Sequence, residues 1–326
     1  MAAHFLLSRH AKTFSVAQVC AMSDADAETT FRSLRWPETK GEPVCPRCGC
    51  LDAYQTRRPT GLLMFRCKGC NKNFSITAGT MFASRKMTFK MYLLAVVIFC
   101  NEVKGKSMLA LSRDLGVQYR TAFVLAHKLR EALGSEMKGM EIGGAGVVAE
   151  TDGAYFGGHV RPANKKENRR DRRLRQNQTG KRKVVVIVRE RGGKTLPGVF
   201  KTEAQAIGFI KQRVKRETIL HADEASSWDA LHTRYQVHRI NHQEAYSTPE
   251  SCTNWAESAF SRMRRGELGH HHHVAGPYLL RFAQEWTWRE DNRRVSNGDQ
   301  AKRIAALALA NKPSVDFTGY TQRHKS

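Results

Sequence analysis

Two kinds of side chain in this sequence have types and spacings that could do chemistry: paired cysteines and isolated acids. Cys45 and Cys48 form one C-x-x-C pair, and Cys67 and Cys70 form another after eighteen intervening residues. Each pair offers two thiolates from one tight turn, and the intervening segment is long enough for a hairpin, so the pattern favours a four-thiolate structural zinc site. The alternative is four unligated or redox-active cysteines.

The acids stand out because the chain is strongly basic, with 54 Lys and Arg against 30 Asp and Glu and a formal net charge of +24. Such a charge indicates a polyanionic partner, with nucleic acid first. Asp152 and Asp223 end the predicted strands "VVAETD" and "TILHAD", and Glu257 lies in a predicted helix 34 residues after Asp223. Three such carboxylates would hold two Mg²⁺ or Mn²⁺ ions about 3.5–4 Å apart, an arrangement that cuts phosphodiesters.

Each acid also has a purely structural interpretation. Asp152 and Gly153 could form a type I′ turn, and Asp223 could cap the helix that follows it. Glu257 could form a capping box with Asn254. We favour the catalytic interpretation because three acids would rarely fall at matching positions of one fold by chance.

The elements that must position these acids follow a glycine-rich break at Gly139–Val147. Strands are predicted at Val147–Gly153, Lys183–Glu190, Thr195–Phe200, Thr218–Asp223 and Tyr235–Ile240. With the intervening helices and two closing helices near residues 254–265 and 277–293, the order β–β–β–α–β–α–β–α resembles the ribonuclease H-like fold. In that fold the first and fourth strands are neighbours, so the acids at their carboxyl ends would meet.

The region before the break is predicted to be helical in residues 1–40 and 85–138. In the second stretch, two short amphipathic helices meet at Gly116–Val117, the pattern of a helix-turn-helix. The alternative is an ordinary helical hairpin. Beside a zinc site in so basic a chain we favour DNA binding, through side chains exposed on the second helix, namely Gln118, Tyr119, Arg120 and Lys128.

Two segments of the chain are rich in Lys, Arg or His. Arg161–Lys183 has eleven Lys or Arg against two acids; it could be a solvated loop, but its place beside the first strand favours DNA contact. His270–His273 is an internal run of four residues, for which neither a metal site nor a purification tag is indicated.

No membrane-spanning segment is expected, because the longest strongly apolar run, Met91–Cys100, has 10 residues and a bilayer needs about 20. An anionic membrane surface is the weaker alternative to nucleic acid as the partner. The first residues lack a signal-peptide core. We therefore expect a cytoplasmic protein with reduced cysteines.

Several phrases of the chain occur together in one family. They are "LRWPETKGEPVCPRCG", "FRCKGCNKNFSITAGTMF", "TDGAYFGG", "LHADEASSW", "TNWAESAFSRMRRG", "HHV" and "WREDNRR". From about residue 17 to 295 the chain resembles the bacterial insertion-sequence transposases of the group numbered fifteen ninety-five. Asp152, Asp223 and Glu257 match the Asp–Asp–Glu catalytic acids of that family, and Asn254 matches an Asn before the Glu. Arg264 stands where the family usually has Lys.

The resemblance implies an enzyme that cuts DNA at element ends, frees a 3′-hydroxyl and joins it to target DNA. It implies structural Zn²⁺ in the ribbon, Mg²⁺ or Mn²⁺ at the acids, double-stranded DNA as partner, and a homo-oligomer on that DNA. It also implies a bacterial protein that is associated with the nucleoid. Arg264 and Arg265 would contact DNA, although two arginines also suit a helix C-terminus. The alternatives are a non-catalytic regulator and a structure-selective nuclease without strand transfer.

The expected fold class is therefore a multidomain α/β chain, with a zinc ribbon and helix-turn-helix ahead of a ribonuclease H-like mixed sheet. The predicted parts are an N-terminal helical segment (1–40), a zinc ribbon (41–84), a helix-turn-helix region (85–138), a catalytic domain (145–300) and a basic C-terminal tail (301–326).

Overall fold

The computed structural model describes residues 4–157, 163–170, 182–241 and 252–323. The chain divides into two compact units. One comprises Met1–Glu136 with Asn292–Ser326, and the other comprises Met137–Asp291. The first division lies beside the glycine-rich break that the sequence marked.

The strands of the second unit follow one another in the order that the sequence pattern predicted. The strands are β1 (Ala53–Arg57), β2 (Leu63–Cys67), β3 (Asn73–Phe74), β4 (Val148–Phe156), β5 (Lys183–Glu190), β6 (Thr195–Phe200), β7 (Ile219–Asp223) and β8 (Gln236–Ile240). The helices are α1 (Val16–Ala21), α2 (Asp24–Arg35), α3 (Phe89–Asn101), α4 (Met108–Leu115), α5 (Tyr119–Glu136), α6 (Ala206–Arg213), α7 (Asn254–Gly266), α8 (Leu279–Asp291), α9 (Asn297–Ala310) and α10 (Tyr320–Arg323).

A small antiparallel sheet in the first unit holds the cysteine pairs. Its strands lie in the order β1–β2–β3. The rings of Phe65 and Phe74 stack with centroids 5.3 Å apart, and Trp36 meets Phe65 edge-on at 5.6 Å. These few apolar side chains form only a small core, which by itself gives little stability. A metal ion bound by the cysteines would add to the stability of such a sheet.

The helices of the first unit pack around α3, most of whose residues are buried. Gly116 adopts a left-handed conformation (φ 62°) where α4 ends, and α5 begins at Tyr119. The turn between two amphipathic helices is therefore as predicted, although α5 has 18 residues and is not short. A correction concerns the C-terminal segment: residues 301–310 belong to α9, whose apolar face is buried within the first unit, and not to a tail.

The second unit contains a five-stranded mixed sheet in the order β6–β5–β4–β7–β8. Strands β4, β5 and β6 pair antiparallel, whereas β4 with β7 and β7 with β8 pair in parallel. This is the ribonuclease H-like arrangement, and the first and fourth strands of the unit are neighbours as predicted. Helix α7 lies against β4 and β5, and α8 lies against β6.

In the described part of the chain, no helix has both the length and the apolar character needed to cross a membrane.

Candidate active site

Asp152 lies inside β4, with the strand continuing four residues beyond it to Phe156. The type I′ turn is therefore wrong, because Asp152 pairs with Ile187 and Gly153 with Val186 across the antiparallel neighbour β5. The prediction that Asp152 ends its strand is wrong for the same reason. Its parallel pairing with β7, however, stops at Thr151, so Asp152 stands where that pairing ends.

Asp223 is the last residue of β7, the strand that pairs with β4 in parallel. Its Oδ1 accepts hydrogen bonds from Nε1 of the buried Trp228 at 2.6 Å and from the backbone N–H of Ala225 at 3.2 Å. The capping interpretation holds only in part, since a short 3₁₀ helix, Ser226–Leu231, follows instead of an α-helix. The two donors fix the orientation of the Asp223 carboxylate and leave its Oδ2 available.

Glu257 lies in the first turn of α7, and its Oε1 accepts a hydrogen bond from the Thr253 hydroxyl at 3.3 Å. The N-cap of α7 is Thr253 and Asn254 is the first helical residue, so the predicted Asn254 capping box is wrong. A cavity of about 450 Å³ lies between β4 and α7. Its lining residues are Asp152, Gly153, Ala154, Glu257, Phe260, Ser261, Arg264, Arg265 and Leu268.

The other acids of the site act on the charge of Asp152. Burial above all raises the pKa of Asp152 to about 7; the hydrogen bond from the N–H of Gly153 opposes that rise, and the charges of Asp223, Glu257 and Glu203 contribute to it. A buried carboxyl group among other carboxylates favours either a proton or a cation.

Glu203, which the sequence analysis did not identify, is a fourth acid at this site. It lies in a 3₁₀ turn, Glu203–Gln205, just before α6. Burial raises the pKa of Glu203; the Ser227 hydroxyl, which donates to its Oε2 at 3.2 Å, opposes the shift, and the charge of Asp223 adds to it. A glycine inside a strand often marks a close approach, so Gly153 was the one available signal.

Among the residues that the structure describes, the four cysteines are the group of three or more His, Cys, Asp or Glu that could hold a metal ion, and their ligand atoms all lie within 4.8 Å of one another. The charges of Asp223, Glu257 and Glu203 act on Asp152, but these acids do not form such a group.

The four predicted cysteine ligands lie together in the first unit. The Sγ atoms of Cys45 and Cys70 are 3.7 Å apart, and those of Cys48 and Cys67 are 3.5 Å apart. Zinc–sulfur bonds of about 2.3 Å in a tetrahedron place the sulfurs about 3.8 Å apart. The donor set and its spacing therefore suit structural Zn²⁺.

Three of the four residues predicted to face DNA from the helical pair are exposed. Gln118 precedes α5, and Tyr119 and Arg120 begin it. Lys128 corrects the prediction: it is half-buried, its Nζ donates to the backbone oxygen of Met81 at 2.8 Å, and burial lowers its pKa. Helical periodicity could not show that another segment lies over Lys128.

The remaining predicted residues have mixed outcomes. Asn254, Arg264 and Arg265 are exposed on α7. Most of the basic segment Arg161–Lys183 lies outside the described residues. The histidine run starts in a π-helical turn, and His271 packs against Phe282 with ring centroids 4.7 Å apart, which is a structural contact.

Two family models match this chain. The transposase zinc-ribbon domain matches residues 22–73, which include the four cysteines. The ISXO2-like transposase domain matches residues 144–291, which include the sheet and the acids of the second unit.

Comparisons with individual proteins are more distant. An uncharacterized protein in transposable element ISH50 of Halobacterium salinarum is 21% identical over an alignment of 300 residues, and the alignment covers 88% of this chain and 98% of that protein. The Mos1 strand transfer complex aligns at 12% identity and a TM-score of 0.26, covering 66% of this chain and 78% of that chain. A pre-cleavage Mos1 transpososome aligns at 12% identity and a TM-score of 0.25, covering 67% and 78%. At these TM-scores the structural likeness carries no argument.

The two matching models lie in the same order as the cysteine cluster and the acid-bearing sheet. The chain therefore carries both the zinc-ribbon domain and the transposase domain that are found in IS1595 transposases.

Proposed function

We propose that this transposase cuts phosphodiesters at the ends of an insertion sequence and joins the freed 3′-hydroxyl to target DNA. The observation that supports the proposal most is the cavity between β4 and α7, which Asp152 and Glu257 line together with Arg264 and Arg265. Acids and arginines facing one cavity suit a reaction in which cations and phosphates meet.

Asp152, Asp223 and Glu257 are the residues that would hold Mg²⁺ or Mn²⁺. Their donor set fits, because hard divalent ions prefer carboxylate oxygens. The raised pKa of Asp152 fits as well, since burial and neighbouring acids disfavour its negative charge unless a cation balances it. When bound, such ions would help deprotonate the attacking hydroxyl or water and stabilise the leaving oxygen.

Bond making and breaking in this proposal balance in two steps. In the first, a water oxygen loses a proton and bonds to phosphorus, the bond from that phosphorus to the 3′-oxygen breaks, and the released oxygen takes up a proton as the 3′-hydroxyl. In the second, the 3′-hydroxyl loses its proton and its oxygen bonds to a target phosphorus, the bond from that phosphorus to the target 3′-oxygen breaks, and the displaced oxygen takes up a proton. Arg264 and Arg265 would hold the negative phosphates, and Asp223, oriented by Trp228, would keep its free oxygen toward the site.

The first unit would supply DNA recognition. We propose that Gln118, Tyr119 and Arg120 approach the element end as the exposed start of a recognition helix, with the zinc ribbon beside them in the same unit. We further propose that the chain acts as a homo-oligomer on double-stranded DNA in the cytoplasm.

The test is a cleavage and strand-transfer assay on DNA that carries the ends flanking the gene, in Mg²⁺ and in Mn²⁺. Asp152→Asn, Asp223→Asn and Glu257→Gln keep side-chain size and remove one charge each. We expect each to reduce both steps by orders of magnitude while folding and end binding persist. Cleavage without joining would indicate a nuclease, and end binding without cleavage by the unaltered chain would indicate a regulator.

A further inference from the structure

A second carboxylate on β4 lies two residues before Asp152 and is fully buried. Glu150 and Asp152 point to the same face of the sheet, because alternate residues of a strand share a face. Oε1 of Glu150 accepts a hydrogen bond from Nε of Arg191 at 3.0 Å. Its Oε2 accepts two more, from the backbone N–H groups of Trp255 at 2.8 Å and Ala256 at 3.0 Å.

These last two bonds cap helix α7 from another element. The first N–H groups of a helix have no partners within it, and they favour a nearby negative charge. The N-cap residue of α7, Thr253, makes no capping hydrogen bond with its side chain. Glu150 therefore satisfies the two amides that immediately precede Glu257.

The hydrogen bonds around Glu150 also involve β7, the strand that carries Asp223. Glu150 pairs in register with His221, which lies two residues before Asp223 on β7. Nδ1 of His221 is 3.2 Å from a terminal nitrogen of Arg191, and it accepts a hydrogen bond from the N–H of Cys252 at 3.0 Å. Arg191 also donates to the backbone oxygen of Cys252, at 3.3 Å.

One hydrogen-bonded group thus joins β4, β7 and the segment leading into α7, one or two residues before each of the three acids. A buried ion pair is weak evidence for stability, because desolvation offsets much of the Coulomb attraction. The hydrogen-bonded group matters here because it fixes positions. If the start of α7 moved by one hydrogen-bond length, Glu257 would move away from Asp152.

We propose that Glu150, assisted by Arg191, is a positioning residue that holds the start of α7 against β4 so that Glu257 faces Asp152. The inference rests on the proposed function, because it concerns acids to which that function assigns a divalent cation. Glu150 itself is fully buried and is not among the residues that line the cavity.

The experiment measures Mn²⁺ binding to the zinc-loaded full chain, from the electron paramagnetic resonance signal of free Mn²⁺, beside cleavage in Mg²⁺. Glu150→Gln keeps the size of the side chain but replaces one of its two acceptor oxygens with an NH₂ group, which only donates. Either Arg191 or the two amides of α7 therefore lose the oxygen to which they donate. Residues that orient metal ligands without touching the metal usually change affinity about 10- to 100-fold. We expect a loss of Mn²⁺ affinity in that range, with zinc content and end binding unchanged.

Asp291→Asn is the matched control. Asp291 accepts hydrogen bonds from the N–H and the hydroxyl of Thr195, at 2.9 and 2.7 Å, and so joins α8 to β6 in the same unit. We expect it to lower stability without changing Mn²⁺ affinity. Equal loss of affinity in both variants, or wild-type affinity in Glu150→Gln, would overturn the inference.

Two further arms keep the result interpretable. If Glu257→Gln binds Mn²⁺ and cleaves DNA like the unaltered chain, the proposed function fails and the inference fails with it. If Glu257→Gln is inactive and Glu150→Gln is normal, the inference alone fails. Should Glu150→Gln not fold, Glu150→Asp keeps the charge but cannot reach both amides; weaker Mn²⁺ binding then supports the inference and unchanged binding overturns it.

Discussion

The carboxylate of Glu203 lies directly against the backbone of Gly153. A Cβ added to Gly153 would be 2.7 Å from Oε1 of Glu203 and 2.8 Å from its Cγ. Gly153 is in extended backbone, so its missing side chain matters for space and not for conformation. The contact brings a fourth acid beside Asp152 from a segment about fifty residues later in the chain.

We predict that Gly153→Ala displaces Glu203 and slows DNA cleavage. Overpacking a close contact costs about 1–3 kcal/mol, although rotation of the Glu203 side chain can relieve part of the strain. Glu203→Gln tests the charge alone, and we expect slower cleavage with little loss of stability. Thermal unfolding measures the stability of both variants, and single-turnover assays measure their rates of DNA cleavage. Wild-type cleavage in both would remove Glu203 from the site.

A second prediction concerns stability and pH without added Mg²⁺ or Mn²⁺. Burial and the neighbouring acids raise the pKa of Asp152 from an ordinary 3.8 to about 7 in the folded chain. Between these values the folded chain keeps a proton that the unfolded chain releases, so the free energy of unfolding from this group falls as pH rises. Denaturant unfolding of Asp152→Asn beside the unaltered chain isolates the effect. A pH-independent difference between the two would contradict the prediction.

Arg264 should contribute to DNA affinity and not to stability, because it is exposed and lines the cavity. Each phosphate contact that is lost should flatten the slope of log affinity against log salt by about 0.9. We expect Arg264→Ala to show that change and weaker binding to all sequences. Arg216→Ala, which removes another exposed arginine of the same unit that does not line the cavity, is the control. An equal change in both variants would leave Arg264 with no specific role.

Arg120 and Lys128 should behave differently, although both were predicted to face DNA. Arg120→Ala removes an exposed side chain and, if it contacts a base edge, should cost about 1–3 kcal/mol of specific binding. Lys128→Ala removes the donor to the Met81 oxygen and should instead lower stability, by about 1–3 kcal/mol. Titrations on end and random DNA, beside thermal unfolding, separate the two. Equal losses on both DNAs for Arg120→Ala would argue against base contact.

The zinc prediction has a control in Cys50, which lies two residues after Cys48 of the first cysteine pair. Cys67→Ser with Cys70→Ser should abolish zinc binding in elemental analysis and destabilise the β1–β3 sheet. Cys50→Ser should keep one zinc per chain, since Cys50 is outside the four-sulfur cluster and its Sγ lies 3.6 Å from the backbone oxygen of Asp52. Zinc retained in the double variant would show that other groups hold the metal.

The sequence by itself determined the features that depend on local pattern. Cysteine spacing identified the four thiols that cluster, since two C-x-x-C turns joined by a hairpin bring them together. Alternating and helical periodicity placed all five strands of the second unit to within a few residues. The chain order then placed β4 beside β7, because few arrangements of five strands with these connections form a ribonuclease H-like sheet.

Only the tertiary structure decided what depends on residues far apart in the chain. It placed Asp152 within a strand, because pairing with β5 continues past the point where pairing with β7 ends. It brought Glu203 to Gly153, placed the half-buried Lys128 against the Met81 backbone, and set Glu150 at the start of α7. Spacing and periodicity describe one segment at a time, whereas these contacts join segments about 50 to 105 residues apart through the packing of whole elements.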